Sequence, residues 1–346
     1  MNTLKTITGS PLLIPSVTAI YLTDLGEARG RQELYTRQSP QKLKTLREHA
    51  LIESAVSSNR IEGVTIDRSR VATVVFGKAV LRDREEEEVR GYKEALKLIH
   101  DKGPSLPVSE ETIKKMHYLS RGGSGDAGEY KTKNSDIIEK YPDGRERVRF
   151  KTVPASETAD AMKQLVALWD DCLAYKQVPE LVLLAAWNLD FLYIHPFRDR
   201  NGRVSRLLLL QQLYHLGYEV GRYISLERII EDTKDRYYET LELSSDGWHK
   251  GKNDPWPYIN YILYTLKTAC AEFESRFSKT SAPRGSKRRM VEEAILYMKG
   301  SFTVNDIMDK SPGVSIDTVR KIFKEKQKDG LIECLVHGRD AKWRVK

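Results

Sequence analysis

The chain has 346 residues, a hydrophobic content of 40%, a charged content of 31% and a net charge of +8. This length allows two or three domains with separate cores, and the composition argues against a disordered or fibrous protein. Because the first fifteen residues lack a secretory signal and no apolar run approaches membrane-spanning length, we expect a cytoplasmic protein without a membrane partner.

The first predicted elements are helices. Pro40 to Arg60 carries apolar residues three or four apart, which is the pattern of a core-facing helix. Arg84 to His100 is a second helix, and its run Glu85–Glu88 lies in the first turn, where negative charge is favoured. We interpret that acidic run as a solvated helix start and not as a site. Together these patterns predict an N-terminal helical segment over residues 1–105.

The next region, residues 106–277, is predicted to be a helical core with one β-hairpin. Within Asn134 to Val153, two short apolar stretches flank a turn cluster that contains Pro and Gly, which predicts the hairpin. Pro179 to Tyr193 is apolar nearly all round, as expected of a central buried helix. A second buried helix is predicted from Val204 to Leu216. Rigid elements therefore hold the residues between these two helices.

The segment between the buried helices, His195 to Arg206, reads His-Pro-Phe-Arg-Asp-Arg-Asn-Gly-Arg-Val-Ser-Arg. It combines a proton acceptor, a carboxylate, an Asn-Gly turn and basic side chains. Backbone N–H groups of such a turn bind anions when a helix starts there. Arg203 and Arg206 are three apart on one helix face and can bond phosphate oxygens. The segment therefore predicts a site for a metal-bound polyphosphate beside a base.

This segment resembles the signature of the Fic (Fido) family, His-x-Phe-x-Asp/Glu-Gly-Asn-Gly-Arg-x-x-Arg, with Arg200 in place of the first glycine. The resemblance implies a protein adenylyltransferase, which transfers AMP from ATP, with Mg²⁺, to a Ser, Thr or Tyr hydroxyl of a protein, including the chain itself. Glycine at position 200 would permit a positive φ, whereas arginine is disfavoured there but adds a cation beside the polyphosphate. We therefore expect an altered nucleotide preference or rate and not the loss of the site.

The resemblance assigns a role to each signature residue. His195 is the general base that accepts the proton of the target hydroxyl, Phe197 anchors the loop, and Asp199 binds Mg²⁺. The expected nucleotide-binding residues are Arg200, Asn201, Gly202, Arg203, Arg206, which grips the γ-phosphate, and Tyr237, which lines the adenine pocket. The hairpin is expected to be the flap that pairs with an extended target segment, and a plain surface hairpin is the alternative.

A second motif ends the first long helix. Ser58 and Glu62 are four apart, hence on one helix face, and Gly63 follows. The stretch resembles the inhibitory motif Ser/Thr-x-x-x-Glu-Gly/Asn of Fic-like proteins, whose glutamate pairs with the second signature arginine, here Arg206. An arginine bonded to a carboxylate cannot also bond the γ-phosphate, which implies autoinhibition. The alternative is an ordinary glycine helix end with an exposed glutamate, although a carboxylate there favours a cationic partner.

The last region is more basic. From Pro283 to Lys346 there are 15 Lys/Arg and 9 Asp/Glu, which accounts for most of the net charge. Residues 278–286 have linker composition, and residues 287–346 predict three helices and a hairpin, an order that resembles a winged helix-turn-helix. The third helix, Ser315 to Lys328, carries basic residues suited to phosphate contact, so DNA is one expected partner. Winged helices also dock proteins, and charge alone supplies only nonspecific binding.

We therefore predict a mainly α protein with a Fic-like helical core, a β-hairpin flap and a small α+β winged helix-turn-helix domain. The predicted function is an ATP- and Mg²⁺-dependent protein adenylyltransferase restrained by Glu62. Two alternatives stay open. One is a DNA-binding regulator whose Fic-like core senses nucleotide, and the other is a Fic-like enzyme of different transfer or AMP-removing activity.

Overall fold

The structure is a computed structural model. It describes residues 2–9, 11–38, 40–77, 80–122, 125–140, 144–176, 178–278, 286–298, 300–311, 314–336, 338 and 341–346. Within these ranges the protein is mainly helical and has two small antiparallel sheets, which confirms the predicted fold class. None of the helices in these ranges combines the length and apolar character that crossing a membrane requires.

The described residues form fifteen α-helices and five β-strands, numbered here in chain order. The helices are α1 (Asn2–Thr8), α2 (Ser16–Gln38), α3 (Pro40–Ile61), α4 (Val71–Phe76), α5 (Arg84–Lys102), α6 (Glu110–Ser120), α7 (Ala155–Tyr175), α8 (Glu180–Ile194), α9 (Asn201–His215), α10 (Leu226–Asp232), α11 (Lys234–Leu243), α12 (Trp256–Ser278), α13 (Ser286–Leu296), α14 (Val304–Asp309) and α15 (Ile316–Lys328). The strands are β1 (Ile137–Lys140), β2 (Glu146–Phe150), β3 (Ser301–Phe302), β4 (Ile332–Val336) and β5 (Lys342–Val345).

One hydrophobic core extends through most of the chain, from Leu4 to Phe273. Helix α8 is buried on all sides within it, as expected of a helix that is apolar nearly all round. Helices α3 and α5 pack against each other and against α10 and α9 in this same core. The N-terminal helices therefore share their core with residues 106–277, and the boundaries at 105 and 277 stay a prediction.

The signature segment lies between α8 and α9. Helix α8 ends at Ile194, and α9 begins at Asn201, three residues before the predicted start. The residue before α9, Arg200, has a φ of 65°. A left-handed residue cannot continue a helix, so it closes the loop and lets α9 start directly afterwards.

Strands β1 and β2 form the predicted hairpin, with Ile138 opposite Val148. Its turn residues 141–143 lie outside the described residues. Arg147 and Arg149 of β2 both bond Glu242 of α11, the latter at 3.0 Å. These contacts hold the hairpin against α11, beside the signature segment.

A second, smaller core, from Val291 to Ile332, holds the C-terminal region together. Helices α13, α14 and α15 pack on one another, and the strands form an antiparallel sheet in the order β3-β5-β4. Ser315 accepts a hydrogen bond from the Thr318 N–H, as expected of a helix N-cap. Strand β3 was not predicted, because two residues are too few to show periodicity. Most of the predicted linker, residues 279–285, lies outside the described residues.

Candidate active site

His195 directly follows α8 and has a φ of 52°. Its Nδ1 lies 3.3 Å from the carbonyl oxygen of Leu192. A carbonyl oxygen only accepts hydrogen bonds, so Nδ1 carries the proton of the neutral ring and Nε2 keeps a lone pair. Burial lowers the pKa of His195 to about 4, so the ring is neutral at pH 7. His195 therefore has the protonation state that a general base requires.

A buried lysine supports the same turn. Lys131 Nζ donates to the Ile194 carbonyl oxygen at 3.2 Å and to Thr152 Oγ1 at 2.7 Å, and its backbone N–H donates to the Pro196 carbonyl oxygen at 2.8 Å. Burial lowers the pKa of Lys131 to about 8. Lys131 thus ties the chain on both sides of His195 to the residues that follow the hairpin. This role is not evident from the sequence, because a lone lysine gives no signal of burial.

The start of the loop is fixed by Phe197 and Asn201. Phe197 is fully buried, and its ring stacks on His117 with 3.9 Å between ring centres. The Asn201 amide donates to the Phe197 carbonyl oxygen at 2.8 Å and accepts from the Phe197 N–H at 2.9 Å. Both ends of the Asn201 side chain are therefore engaged in shaping the loop. The expected contact of Asn201 with phosphate stays a prediction.

Arg200 does not provide the free cation expected beside a polyphosphate. Its Nη2 bonds Glu88 of α5, and its Nη1 donates to Asp199 Oδ2 at 2.9 Å. The side chain is only 1% exposed. The Arg200 guanidinium is buried and bonded to two carboxylates, and its expected contact with the nucleotide stays a prediction.

Glu88 is the counter-charge of the loop. One carboxylate oxygen accepts from Arg200 and from Arg84 Nε at 2.9 Å, and the other accepts from Arg203 Nη1 at 2.7 Å. Burial opposes the charge of Glu88, but the arginines outweigh it and lower the pKa of the carboxyl. The interpretation of the acidic run as solvated is therefore wrong for Glu88, and also for Glu86, which is 3% exposed and bonded to Arg70. The burial of Glu88 follows from the packing of α5 against α9, which the sequence does not show.

Asp199 is the exposed carboxylate of the loop, with a side chain that is 58% exposed. Partial burial opposes its charge, but Arg200 outweighs it and lowers the pKa of Asp199. Within the described residues, no group of three or more His, Cys, Asp or Glu side chains could hold a metal ion by itself. Mg²⁺ commonly binds through one or two carboxylates together with substrate phosphates. An ionised, exposed carboxylate in the loop before α9 fits that mode.

The two ends of the second motif meet at Arg206. Its Nε donates to Ser58 Oγ, and its Nη2 donates to the Ser58 carbonyl oxygen and to Glu62 Oε1, each at 2.9 Å. Burial disfavours the charged guanidinium, but the Glu62 carboxylate outweighs burial and raises the pKa of Arg206. Arg206 is therefore charged and already bonded within the protein.

Glu62 lies against the amino-terminal turn of α9. A β-carbon on Gly202 would be 2.5 Å from Glu62 Oε1, so only glycine permits this approach. Gly63, with a φ of 81°, makes the turn after α3 that places Glu62 here. Unpaired N–H groups and the helix dipole favour an anion at such a turn. The Glu62 carboxylate therefore lies where an anionic group of a ligand would be favoured.

Part of this site borders a cavity of about 350 Å³, within the usual range of small-ligand sites. Its lining includes Glu62, His195, Gly202 and hairpin residues. Tyr237 lines it as expected but is only 2% exposed. Tyr238, which sequence analysis missed, is half-buried and lines the same cavity.

Within the segment from His195 to Arg206, three buried guanidinium nitrogens have no hydrogen-bond partner among the described residues: Nε of Arg200, Nε of Arg203 and Nη1 of Arg206. Buried donors without a partner are costly and rare in native proteins. Arg206 Nη1 also lies close to Gly202 at the cavity. An anionic ligand would supply the acceptor that this nitrogen lacks.

Residues 107–213 match the Fic/DOC family, a range that includes the segment from His195 to Arg206. The chain contains a Fic-family domain. A relative called protein adenylyltransferase Fic, from Nematostella vectensis, is 28% identical over 262 residues, which is 71% of this chain. That match covers 53% of the relative, so the chain spans about half the length of this curated relative.

Solved structures of Fic proteins share the fold. A Fic family protein from Desulfovibrio desulfuricans has a TM-score of 0.61 at 23% identity, and the match covers 97% of this chain and 98% of that one. A Fic domain containing signaling protein from Bacteroides thetaiotaomicron has a TM-score of 0.62 at 19% identity, covering 75% and 98%. Fic-1 from C. elegans (residues 134–508) has a TM-score of 0.61 at 20% identity, covering 77% and 75%. At these identities the likeness shows the fold alone.

Proposed function

We propose that this protein is an ATP-dependent protein adenylyltransferase restrained by Glu62. The observation that carries the proposal is the arrangement around one cavity. A neutral His195 faces the amino-terminal end of α9, and the donors of Arg206 are bonded to the inhibitory motif. The likeness to a relative called a protein adenylyltransferase supports the transfer of AMP.

In the proposed reaction, the phosphates of ATP lie at the first turn of α9 and the adenine lies toward Tyr237 and Tyr238. His195 Nε2 accepts the proton of a Ser, Thr or Tyr hydroxyl while the hydroxyl oxygen bonds to the α-phosphorus. The bond from that phosphorus to the bridging oxygen breaks, and pyrophosphate leaves with the electron pair. Bound Mg²⁺ would neutralise phosphate charge, and Asp199 is the side chain that would hold it. The remaining residues mainly position the substrates, as phosphoryl-type transfer requires.

The proposed target is a protein, including this chain itself. The hairpin β1–β2 borders the cavity through Ile138 and Arg149. Each strand of a two-stranded sheet has an outer edge, and an extended target segment can pair with such an edge through its main chain. We therefore propose that the hairpin is the flap that brings the target hydroxyl to His195.

The proposed autoinhibition is a competition for Arg206. While Glu62 and Ser58 bond the guanidinium, Arg206 cannot offer the γ-phosphate a free pair of N–H donors. ATP is then not oriented for in-line attack. Glu62 follows the last residue of α3, and its side chain is 30% exposed. It can therefore leave Arg206 without unfolding the helix.

The test uses wild type, Glu62→Gly and the double variant Glu62→Gly/His195→Ala, with Mg²⁺ and ATP labelled on either the α- or the γ-phosphate. Loss of the Glu62 carboxylate, and with it the proposed autoinhibition (the brake), is expected to raise protein-bound α-label by at least about tenfold. This corresponds to about 1.4 kcal/mol. The double variant is expected to bind ATP but to carry no label. Protein-bound γ-label would instead indicate phosphorylation. Equal α-label in wild type and Glu62→Gly would contradict the brake.

A second candidate function rests on helix α15. Arg320, Lys321, Lys324 and Lys328 are exposed and share one face of this helix. Three helices followed by a hairpin, with a short strand after the first helix, fit a winged helix-turn-helix, and a basic helix on such a fold suits the DNA backbone. The protein would then be a DNA-binding regulator whose Fic domain senses nucleotide. Retained salt-dependent DNA binding in a variant that no longer labels protein would favour this function.

A further inference from the structure

Arg200 has a backbone conformation that is unusual for its residue type. Among the described residues, the non-glycine residues with a positive φ are Lys176, His195 and Arg200. A side chain with a β-carbon disfavours this region, and the Fic signature has glycine at this position. Contacts of the Arg200 side chain must therefore compensate for its backbone.

Those contacts join the carboxylate of Asp199 to a buried cation. Arg200 Nη1 donates to Asp199 Oδ2 at 2.9 Å, and the Arg200 backbone N–H donates to Asp199 Oδ1 at 2.7 Å. The guanidinium is 1% exposed, whereas the Asp199 side chain is 58% exposed. Arg200 thus donates a hydrogen bond to each of the two carboxylate oxygens of Asp199. Solvent screens a buried cation less than a surface one, so the charge of Arg200 acts on Asp199 more strongly than a surface cation would.

We propose that Arg200 is an internal counter-cation of Asp199 that weakens the binding of a divalent cation to this carboxylate. The inference rests on the proposed function, in which Asp199 holds the Mg²⁺ that accompanies the nucleotide. A cation that approaches Asp199 meets a carboxylate whose charge is already balanced by Arg200. It must share or displace the Arg200 contact, and it is repelled by the guanidinium. Glycine at this position would remove both costs.

Glu88 is the positioning residue of this arrangement. It bonds Arg200 Nη2 and is itself 6% exposed, so it fixes the guanidinium beside Asp199. Glu88 also accepts from Arg203 and Arg84. Removal of the Arg200 side chain therefore does not leave the buried carboxylate without a cation. This makes Arg200 suitable for substitution without loss of the fold.

The test measures Mn²⁺ binding to the protein in the presence of ADP, from the electron paramagnetic resonance signal of free Mn²⁺. ADP lacks the γ-phosphate that competes with Glu62, and Glu62 is the same in wild type and all variants, so it does not bias the comparison. The variants are Arg200→Gly and Arg200→Asn, since both residues tolerate a positive φ and neither carries a charge. Arg198→Ala is the matched control, because Arg198 is an exposed arginine of the same loop. Circular dichroism checks that each variant is folded.

Both Arg200 variants are expected to bind Mn²⁺ about three- to fivefold more tightly than wild type, the range of a partly exposed ion pair. Arg198→Ala is expected to change the affinity by less than about twofold, since solvent screens the charge of an exposed side chain. Equal affinity in wild type and both Arg200 variants would overturn the inference and leave the proposed function intact. The same holds if only Arg200→Gly binds more tightly, because loop flexibility and not charge would then be the cause. No ADP-dependent Mn²⁺ binding in any of the proteins would overturn the inference together with the nucleotide site.

Discussion

The signature arginines are bonded to two carboxylates that differ in what they can do. Glu88 lies within α5 and is 6% exposed, whereas Glu62 follows the end of α3 and its side chain is 30% exposed. Removing one partner of a buried ion pair costs about 3–5 kcal/mol, while pairs that solvent reaches contribute up to about 1 kcal/mol. An arginine–carboxylate pair is therefore a permanent structural contact at Glu88 and a replaceable contact at Glu62. We call Glu88 the brace of the loop. A contact that must open during function is built where water already reaches it.

The largest effect is expected on the buried side of this comparison. Glu88→Ala leaves Arg200 and Arg203 buried without their carboxylate, so we expect the free energy of unfolding to fall by about 3 kcal/mol. Glu87→Ala is the matched control, since Glu87 is the exposed neighbour on the same helix, and it should change stability by less than about 0.5 kcal/mol. Thermal and denaturant unfolding measure both values. Equal stability of the two variants would mean that Glu88 is not the brace of the loop.

A smaller effect is expected on the replaceable side. Ser58→Ala removes the hydrogen bond from Arg206 Nε but keeps the Ser58 carbonyl oxygen and the Glu62 carboxylate as acceptors. Loss of one such hydrogen bond is worth about 1 kcal/mol, so we expect protein-bound α-label to rise about fivefold, less than in Glu62→Gly. Labelling measured side by side decides the order. If Ser58→Ala were as active as Glu62→Gly, the hydroxyl and not the carboxylate would be the main restraint.

The sequence predicted the replaceable contact and missed the permanent one, for a physical reason. Ser58 and Glu62 form a motif that is local in the chain, and His195 and Arg206 belong to another, so spacing alone identified them. Glu88 has no such neighbour in sequence, and only the packing of α5 against α9 selects it from four consecutive glutamates.

The start of α9 was misplaced for a related reason. The Asn-Gly pair indicated a turn, but Arg200 alone supplies the left-handed residue that closes the loop, and Asn201 and Gly202 are already helical. An arginine gives no sequence signal of a positive φ, because that conformation depends on the two carboxylates its side chain meets in the fold. Local patterns therefore predicted the elements well, and contacts between distant segments decided the site's details.

The smallest expected effect is the pH dependence of the transfer rate, which tests the base His195 separately from the restraint by Glu62. Because burial lowers the pKa of His195 to about 4, its ring stays neutral as the pH falls, and at pH 6 only about 1% is protonated. The transfer rate of Glu62→Gly at saturating ATP should therefore change by less than about twofold between pH 8 and pH 6. A base with the ordinary histidine pKa would lose about three-quarters of its neutral form over this range. A fall of about fourfold in Glu62→Gly would thus contradict the neutral base.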